Sequence, residues 1–202
     1  MTAALFTGMV LALQTAVNMA RFGAENYVGP VVALSILREL GPVLTAILVG
    51  GKVASGITAE LGSMKVTEQI DALRAIGVNY VKKLIVPRIL AALVVFPLVT
   101  IMADAAGLVG GMLIAVFDRD IDSYLYWNTI SYWVVMKDFL TGIAKSVVFG
   151  VLITLIGCYN GLETTGGTEG LGRSTTDTVV QVAMAVIVSD FFLTKLFLLL
   201  FW

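Results

Sequence analysis

The longest apolar segment of the chain, residues 84–117, constrains the fold more than any other feature. Its 34 positions contain only two charged residues, Arg88 and Asp104. Backbone polar groups in a bilayer must be satisfied inside the segment itself, and a helical span requires about 20 apolar residues. The segment therefore predicts one transmembrane helix, tilted or kinked at Pro97, since no polar turn divides it in two.

Four further apolar segments predict an all-α integral membrane protein with about five transmembrane helices in a single domain covering residues 1–202. They are residues 1–20, 31–61, 139–159 and 178–202. Hydrophobic residues make up 58% of the chain and charged residues 13%, against roughly 25% charged residues in a soluble domain. Residues 1–20 lack the basic region and cleavage site of a signal peptide, so we interpret them as a span and expect the natural N-terminus to be missing.

Charge and cysteine content exclude several functions. The net charge is −1, histidine is absent, and Cys158 is the single cysteine. A basic nucleic-acid surface, an internal disulfide framework and the usual histidine-based metal and catalytic sites are therefore excluded.

The second span opens with the charged pair Arg38 and Glu39 and is expected to break at Gly41-Pro42. It continues through small residues that permit close helix contact. Packing within the monomer and a subunit interface both remain open for these residues. They form two faces at helical spacing, one of Ala46, Gly50 and Ala54 and one of Gly51, Ser55 and Ala59.

The longest polar stretch between spans, residues 62–83, sets the orientation. Six basic and three acidic residues lie between Lys52 and Arg88, which places this loop in the cytoplasm. Alternation of the spans then puts the N-terminus inside and the C-terminus outside. Within the loop, Thr67 as N-cap and Gly77 as terminator predict a helix of about ten residues on the membrane surface.

Beyond the third span, an acidic segment at residues 118–122 suits the non-cytoplasmic side. The aromatic residues that follow predict a belt at the membrane interface. They are Tyr124, Tyr126, Trp127, Tyr132 and Trp133.

Two glycine-rich sequences resemble phosphate loops, and we reject both. Ala46 and Val53 break the consensus around Gly50–Lys52, and Arg173 replaces the lysine of Gly167–Ser174. A phosphate loop also follows a buried strand, whereas the second sequence follows a span. We interpret residues 161–176 as a flexible loop in which Ser174 or Thr175 caps the fifth helix.

Charged residues inside spans are costly and are functional candidates by default. At about 1.5 Å rise per residue, the charged residues of the spans fall in the outer half of the membrane. One interpretation is a structural salt-bridge network; the other is a functional polar patch. The residues concerned are Arg38, Glu39, Lys145 and Asp190.

The sequence resembles the MlaE-type permease family, the membrane subunits of MCE-associated ABC transporters that move phospholipids between bacterial inner and outer membranes. The most specific match is LSILRELGPVLTAILVGGKVASGITAELGSMKVTEQIDAL at residues 34–73. Shorter matches are FTGMVLALQ at 6–14, PRILA at 87–91, KSVVFG at 145–150 and GRSTTDTVV at 172–180.

The resemblance implies an N-terminal interfacial helix that is missing from this sequence. It also implies a homodimer in the inner membrane with a cytoplasmic ABC ATPase, a periplasmic MCE-domain protein and, in some systems, a STAS-domain protein. This chain would bind phospholipid but no cofactor, and ATP-Mg would bind the ATPase. Arg38, Glu39, Lys145 and Asp190 would border the lipid cavity, with Leu11 and Asn18 as further candidates for the lipid path. The coupling helix that docks into the ATPase would include Glu68, Gln69, Asp71, Leu73 and Arg74.

Two other functions are considered. A proton-coupled secondary transporter would use Glu39, Lys145 and Asp190, and a membrane-embedded lipid enzyme would use Asp104, Asp190 or Glu39 as acid and base. The enzyme is disfavoured because its acids are scattered singly along the sequence. Dependence of transport on ATP or on a pH gradient distinguishes the two transporters.

Overall fold

The computed structural model describes residues 1–201, and all regular structure in that range is helical. Five helices are long and apolar enough to cross a membrane, as the sequence predicts. The helices are α1 (Thr2–Ala20), α2 (Glu25–Val66), α3 (Gln69–Ala75), α4 (Val81–Phe117), α5 (Ser123–Trp133), α6 (Met136–Glu163) and α7 (Gly167–Phe201).

Helix α2 continues through Gly41-Pro42, so the expected break is absent. Instead, α2 contains two π-helical segments, Ile36–Leu40 and Ala46–Gly50. Proline clashes with the carbonyl group one turn earlier in an ordinary α-helix. The wider π turn directly before Pro42 relieves this constraint, and such turns are frequent at functional sites.

The α6–α7 connection is much shorter than the predicted flexible loop. It consists of residues 164–166, and Gly166 and Gly167 take φ values of +85° and +67°. These left-handed conformations reverse the chain within a few residues, so the remaining glycines lie in the first turns of α7. The prediction that Ser174 or Thr175 caps the helix is therefore wrong.

The short helix α3 ends as predicted but begins differently. Gly77 has φ +74°, its N–H donates to Arg74 O and the N–H of Val78 donates to Leu73 O, which is a Schellman termination. The predicted N-cap Thr67 instead donates its hydroxyl to Ser63 O in the last turn of α2. Glu68, in the left-handed conformation, occupies the N-cap position.

The chain divides into two units, and the first contains Met1–Leu44 and Leu98–Ala144. Here α1 approaches the end of α4 at glycines: a Cβ atom on Gly8 would lie 2.0 Å from Gly107 O, and one on Gly110 would lie 2.1 Å from Leu5 O. The small side chains of Ala12 and Ala16 belong to a core cluster with Val28, Val32 and Ile36 of α2. The close backbone approach that glycines allow in α1 and α4 favours helix association in lipid through van der Waals packing.

Helix α5 was not predicted from the sequence. One of its aromatic residues, Tyr126, is buried and so departs from the expected aromatic belt. Tyr126 is 1% exposed and packs against Gly29, while the hydroxyl group donates to Leu108 O over 3.4 Å. Burial raises the pKa of the Tyr126 phenol. Tyr124 and Tyr132, by contrast, are exposed.

The second unit contains Thr45–Pro97 and Lys145–Leu200. The Ala46, Gly50 and Ala54 face is buried within it: a Cβ atom on Gly50 would lie 2.5 Å from Ile153 Cδ1. This face therefore packs within the monomer. On the other face, Gly51 is buried, whereas Ser55 and Ala59 are half-buried.

Replacement of Gly8 by alanine is expected to destabilise the first unit, because the new Cβ atom meets the Gly107 backbone. Overpacking of this kind costs about 1–3 kcal/mol. The matched control is Gly56→Ala, where nothing lies within 4 Å of the new atom. Thermal unfolding of the detergent-solubilised protein should show a lower Tm for Gly8→Ala than for Gly56→Ala, and equal values would contradict the packing.

Candidate functional site

Arg38 forms an ion pair with Asp138 in the first unit. Arg38 Nη2 lies 2.6 Å from Asp138 Oδ1, and Nε donates to the same oxygen over 2.8 Å. The side chain of Asp138 is 1% exposed, and its Oδ2 accepts the Val135 N–H over 2.9 Å at the start of α6. Asp138 therefore both accepts a backbone N–H at the start of α6 and neutralises the charge of Arg38.

Sequence reasoning missed Asp138 because it began the fourth span at Phe139, one residue later. Helix α6 begins at Met136, which puts Asp138 in its first turn, where an acidic residue is favoured. The preference for acidic residues in the first turn is the sequence signal that could have identified Asp138. Glu39 lies beside Arg38 in the π-helical segment Ile36–Leu40 and is half-buried.

Lys145 and Asp190 form an ion pair in the second unit. Lys145 Nζ lies 2.9 Å from Asp190 Oδ1 and donates to Thr194 Oγ1 over 2.7 Å. The lysine side chain is 2% exposed and the aspartate side chain 21%. Because Asp190 and Thr194 are four residues apart on α7, both face the ammonium group. This spacing could have identified Thr194, which sequence reasoning missed.

Both pairs lie in helices long and apolar enough to span a membrane, where an isolated charge is expensive. Each pair offsets this cost with a second hydrogen bond as well as the Coulomb attraction. Across residues 1–201, no cluster of three or more His, Cys, Asp or Glu residues could hold a metal ion.

The two candidates in α1 differ in their surroundings. Leu11 is half-buried and lines a groove of about 330 Å³ with Phe6, Gln14 and Leu40 among its other residues. Asn18 is exposed and does not line this groove.

Helix α3 presents a polar surface. Glu68, Gln69, Asp71 and Arg74 are exposed, whereas Leu73 is half-buried. Arg74 Nη1 lies 3.2 Å from Asp71 Oδ1, and its guanidinium carbon lies 4.6 Å from the centre of the Tyr80 ring. These contacts hold Arg74 at the end of α3 and leave the carboxylate of Glu68 accessible.

Five candidate spans with ion pairs inside them define a multi-pass helical membrane protein. The family model described as "Permease MlaE" matches residues 1–196. The chain belongs to the MlaE permease family.

Its relatives come from bacteria and a plant. The chain is 41% identical to the intermembrane phospholipid transport system permease protein MlaE of Haemophilus influenzae, over 95% of this chain and 74% of the relative. A probable ABC transporter permease protein of Rickettsia prowazekii is 39% identical over the same shares. The chloroplastic protein TRIGALACTOSYLDIACYLGLYCEROL 1 of Arabidopsis thaliana is 35% identical over 95% of this chain and 55% of its own length.

Removing one partner of the Lys145–Asp190 pair is expected to destabilise the protein more than removing both. Lys145→Ala leaves a carboxylate alone in a span, at a cost of about 2.5–3.5 kcal/mol on insertion scales. The second change Asp190→Asn should recover much of the lost stability. Thermal unfolding of both single variants and the double variant measures this coupling.

The exposed pair of Arg173 and Asp177, 3.9 Å apart, is the matched control for this cycle. Its removal should change stability by less than about 1 kcal/mol. Strictly additive effects at Lys145 and Asp190 would show that these two charges do not stabilise each other.

Proposed function

We propose that this chain is the permease subunit of an ATP-binding-cassette transporter that moves phospholipids between bacterial inner and outer membranes. The observation that carries the proposal is the family match over residues 1–196, together with 41% identity to the phospholipid permease of Haemophilus influenzae. The paired charges in α6 and α7 support it, because a phospholipid carries its own charged groups through the membrane.

The energy is proposed to come from a separate ATPase subunit that binds ATP-Mg. Both phosphate-loop-like sequences lie in helices among the described residues: Gly50–Lys52 belongs to α2 and Gly167–Ser174 to α7. A phosphate loop cradles its nucleotide with the backbone N–H groups of a strand-to-helix turn. Neither sequence has that context.

We further propose that Arg38, Glu39, Lys145 and Asp190 act on the transported lipid, with Leu11 and Asn18 as additional contacts. In this proposal α3 is the coupling helix, with Glu68, Gln69, Asp71, Leu73 and Arg74 facing the ATPase. The exposure of its acidic residues supports such a contact.

The proposed assembly is a homodimer in the bacterial inner membrane with a periplasmic MCE-domain protein and, in some systems, a STAS-domain protein. The excess of basic residues between Lys52 and Arg88 supports a cytoplasmic loop there and a periplasmic C-terminus. The half-buried Ser55 and Ala59 supply small residues for contact between subunits.

Transport is expected to require ATP hydrolysis by the partner. Proteoliposomes containing the permease, its ATPase and the MCE protein should transfer labelled phospholipid only with ATP-Mg, and a pH gradient alone should have no effect. Transfer driven by the gradient without ATP would favour the secondary transporter.

The purified complex should contain two copies each of permease and ATPase, and a one-to-one mass would contradict the dimer.

Replacing Glu68 and Asp71 together by lysine is expected to release or uncouple the ATPase while the permease stays folded. Both side chains are exposed, so the change reverses the charge of α3 without altering the core. Co-purification of the ATPase and lipid-stimulated hydrolysis measure the effect.

The matched control reverses two exposed acidic residues outside α3, Glu169 and Asp177, on the side of the membrane proposed to be the same. It should retain the ATPase. If the α3 variant binds as much ATPase as the control and hydrolyses ATP at the same rate, α3 is not the coupling element.

A further inference from the structure

Asp104 is a buried acid that belongs to neither ion pair. It lies in the α4 segment of the first unit, is 3% exposed, and its Oδ1 has no hydrogen-bond partner among the described residues. The carboxyl group packs directly on Gly41 of α2, where a Cβ atom would lie 1.6 Å from Oδ1. Glycine at position 41 therefore provides the space that this acid occupies.

Asp104 lines an open cavity of about 400 Å³ on the surface of the first unit. Every other described residue of the lining has an apolar side chain, among them Leu37, Leu108, Val135 and Phe139. Ligand pockets typically measure about 300–1,000 Å³ and combine apolar walls with a few polar groups that fix orientation. The Asp104 cavity has both properties.

A buried carboxyl oxygen that lacks a hydrogen-bond partner is costly. Leucine would fill a similar space without that cost, so stability alone does not account for an aspartate here. The wall of the cavity is also irregular, because Leu37 lies in the π-helical segment Ile36–Leu40, and π-helical turns are frequent at functional sites.

We propose that this cavity binds a single-chain amphiphile whose head group donates a hydrogen bond to Asp104. The acyl chain lies against the apolar walls, and the head is a hydroxyl or an ammonium group, since both donate to a carboxyl oxygen. The cavity volume is at the low end for ligand pockets, which favours one chain over a complete phospholipid. The inference is carried by Asp104 and this cavity, and it does not depend on the proposal for the transported lipid.

Tryptophan quenching by brominated amphiphiles tests the site. Trp133 adjoins Val134, which lines the cavity, and Trp202→Phe leaves Trp127 and Trp133 as the reporters. Three probes share a dibrominated stearoyl chain: a monoacylglycerol with hydroxyl donors, a long-chain amine with an ammonium donor, and a methyl ester with none.

At least one donor probe should quench at a mole fraction about tenfold lower than the ester, the preference expected for one buried hydrogen bond. The order of the hydroxyl and ammonium probes identifies which head group the site takes. Asp104→Asn keeps a carbonyl acceptor and should keep a preference for donors, whereas Asp104→Leu should abolish it.

A second variant tests the proposal independently in case Asp104→Leu does not fold. Ala105→Phe fills the cavity from an exposed position with Asp104 intact, and it too should abolish the preference. Equal quenching by donor probes and ester in the starting protein would overturn the proposal. A donor preference that persists in both Asp104→Leu and Ala105→Phe would also overturn it. So would the absence of quenching by all three probes because a protein segment occupies the cavity.

Discussion

The need to satisfy every polar group inside a membrane underlies the rest of this structure. Helices satisfy their own backbone groups, which is why the described part of the chain is built of helices alone. Charged side chains in the spans need external partners. Asp138 compensates Arg38, and Asp190 and Thr194 compensate Lys145. The partners lie on a different helix from the charge that they compensate, so the same contacts that neutralise the charges also join helices.

Small residues make such contacts possible. In the first unit, Gly8 and Gly110 allow α1 to approach α4 closely, and Gly41 leaves space for the carboxyl group of Asp104. In the second unit, Gly50 and Ala54 bury their face of α2. In lipid there is no hydrophobic force between helices, so this close approach replaces the large apolar core of a soluble protein.

Family membership and structure support different parts of the proposed mechanism. The family relation supplies phospholipid transport, and the helical context of both glycine-rich sequences supports an external source of ATP hydrolysis. The chain supplies membrane helices, paired charges within them and an exposed polar helix, α3. Asp104 belongs to neither ion pair and lines an apolar cavity.

The sequence by itself determined the number and approximate position of the five spans and the end of α3 at Gly77, because hydrophobicity and glycine conformation are local properties. It also identified Arg38, Glu39, Lys145 and Asp190 as charges within spans. Only the tertiary structure decided that Asp138 pairs with Arg38, that Tyr126 is buried and that Asp104 lines a cavity. These facts depend on contacts between helices distant in sequence, and neither spacing nor composition specifies which helix faces which.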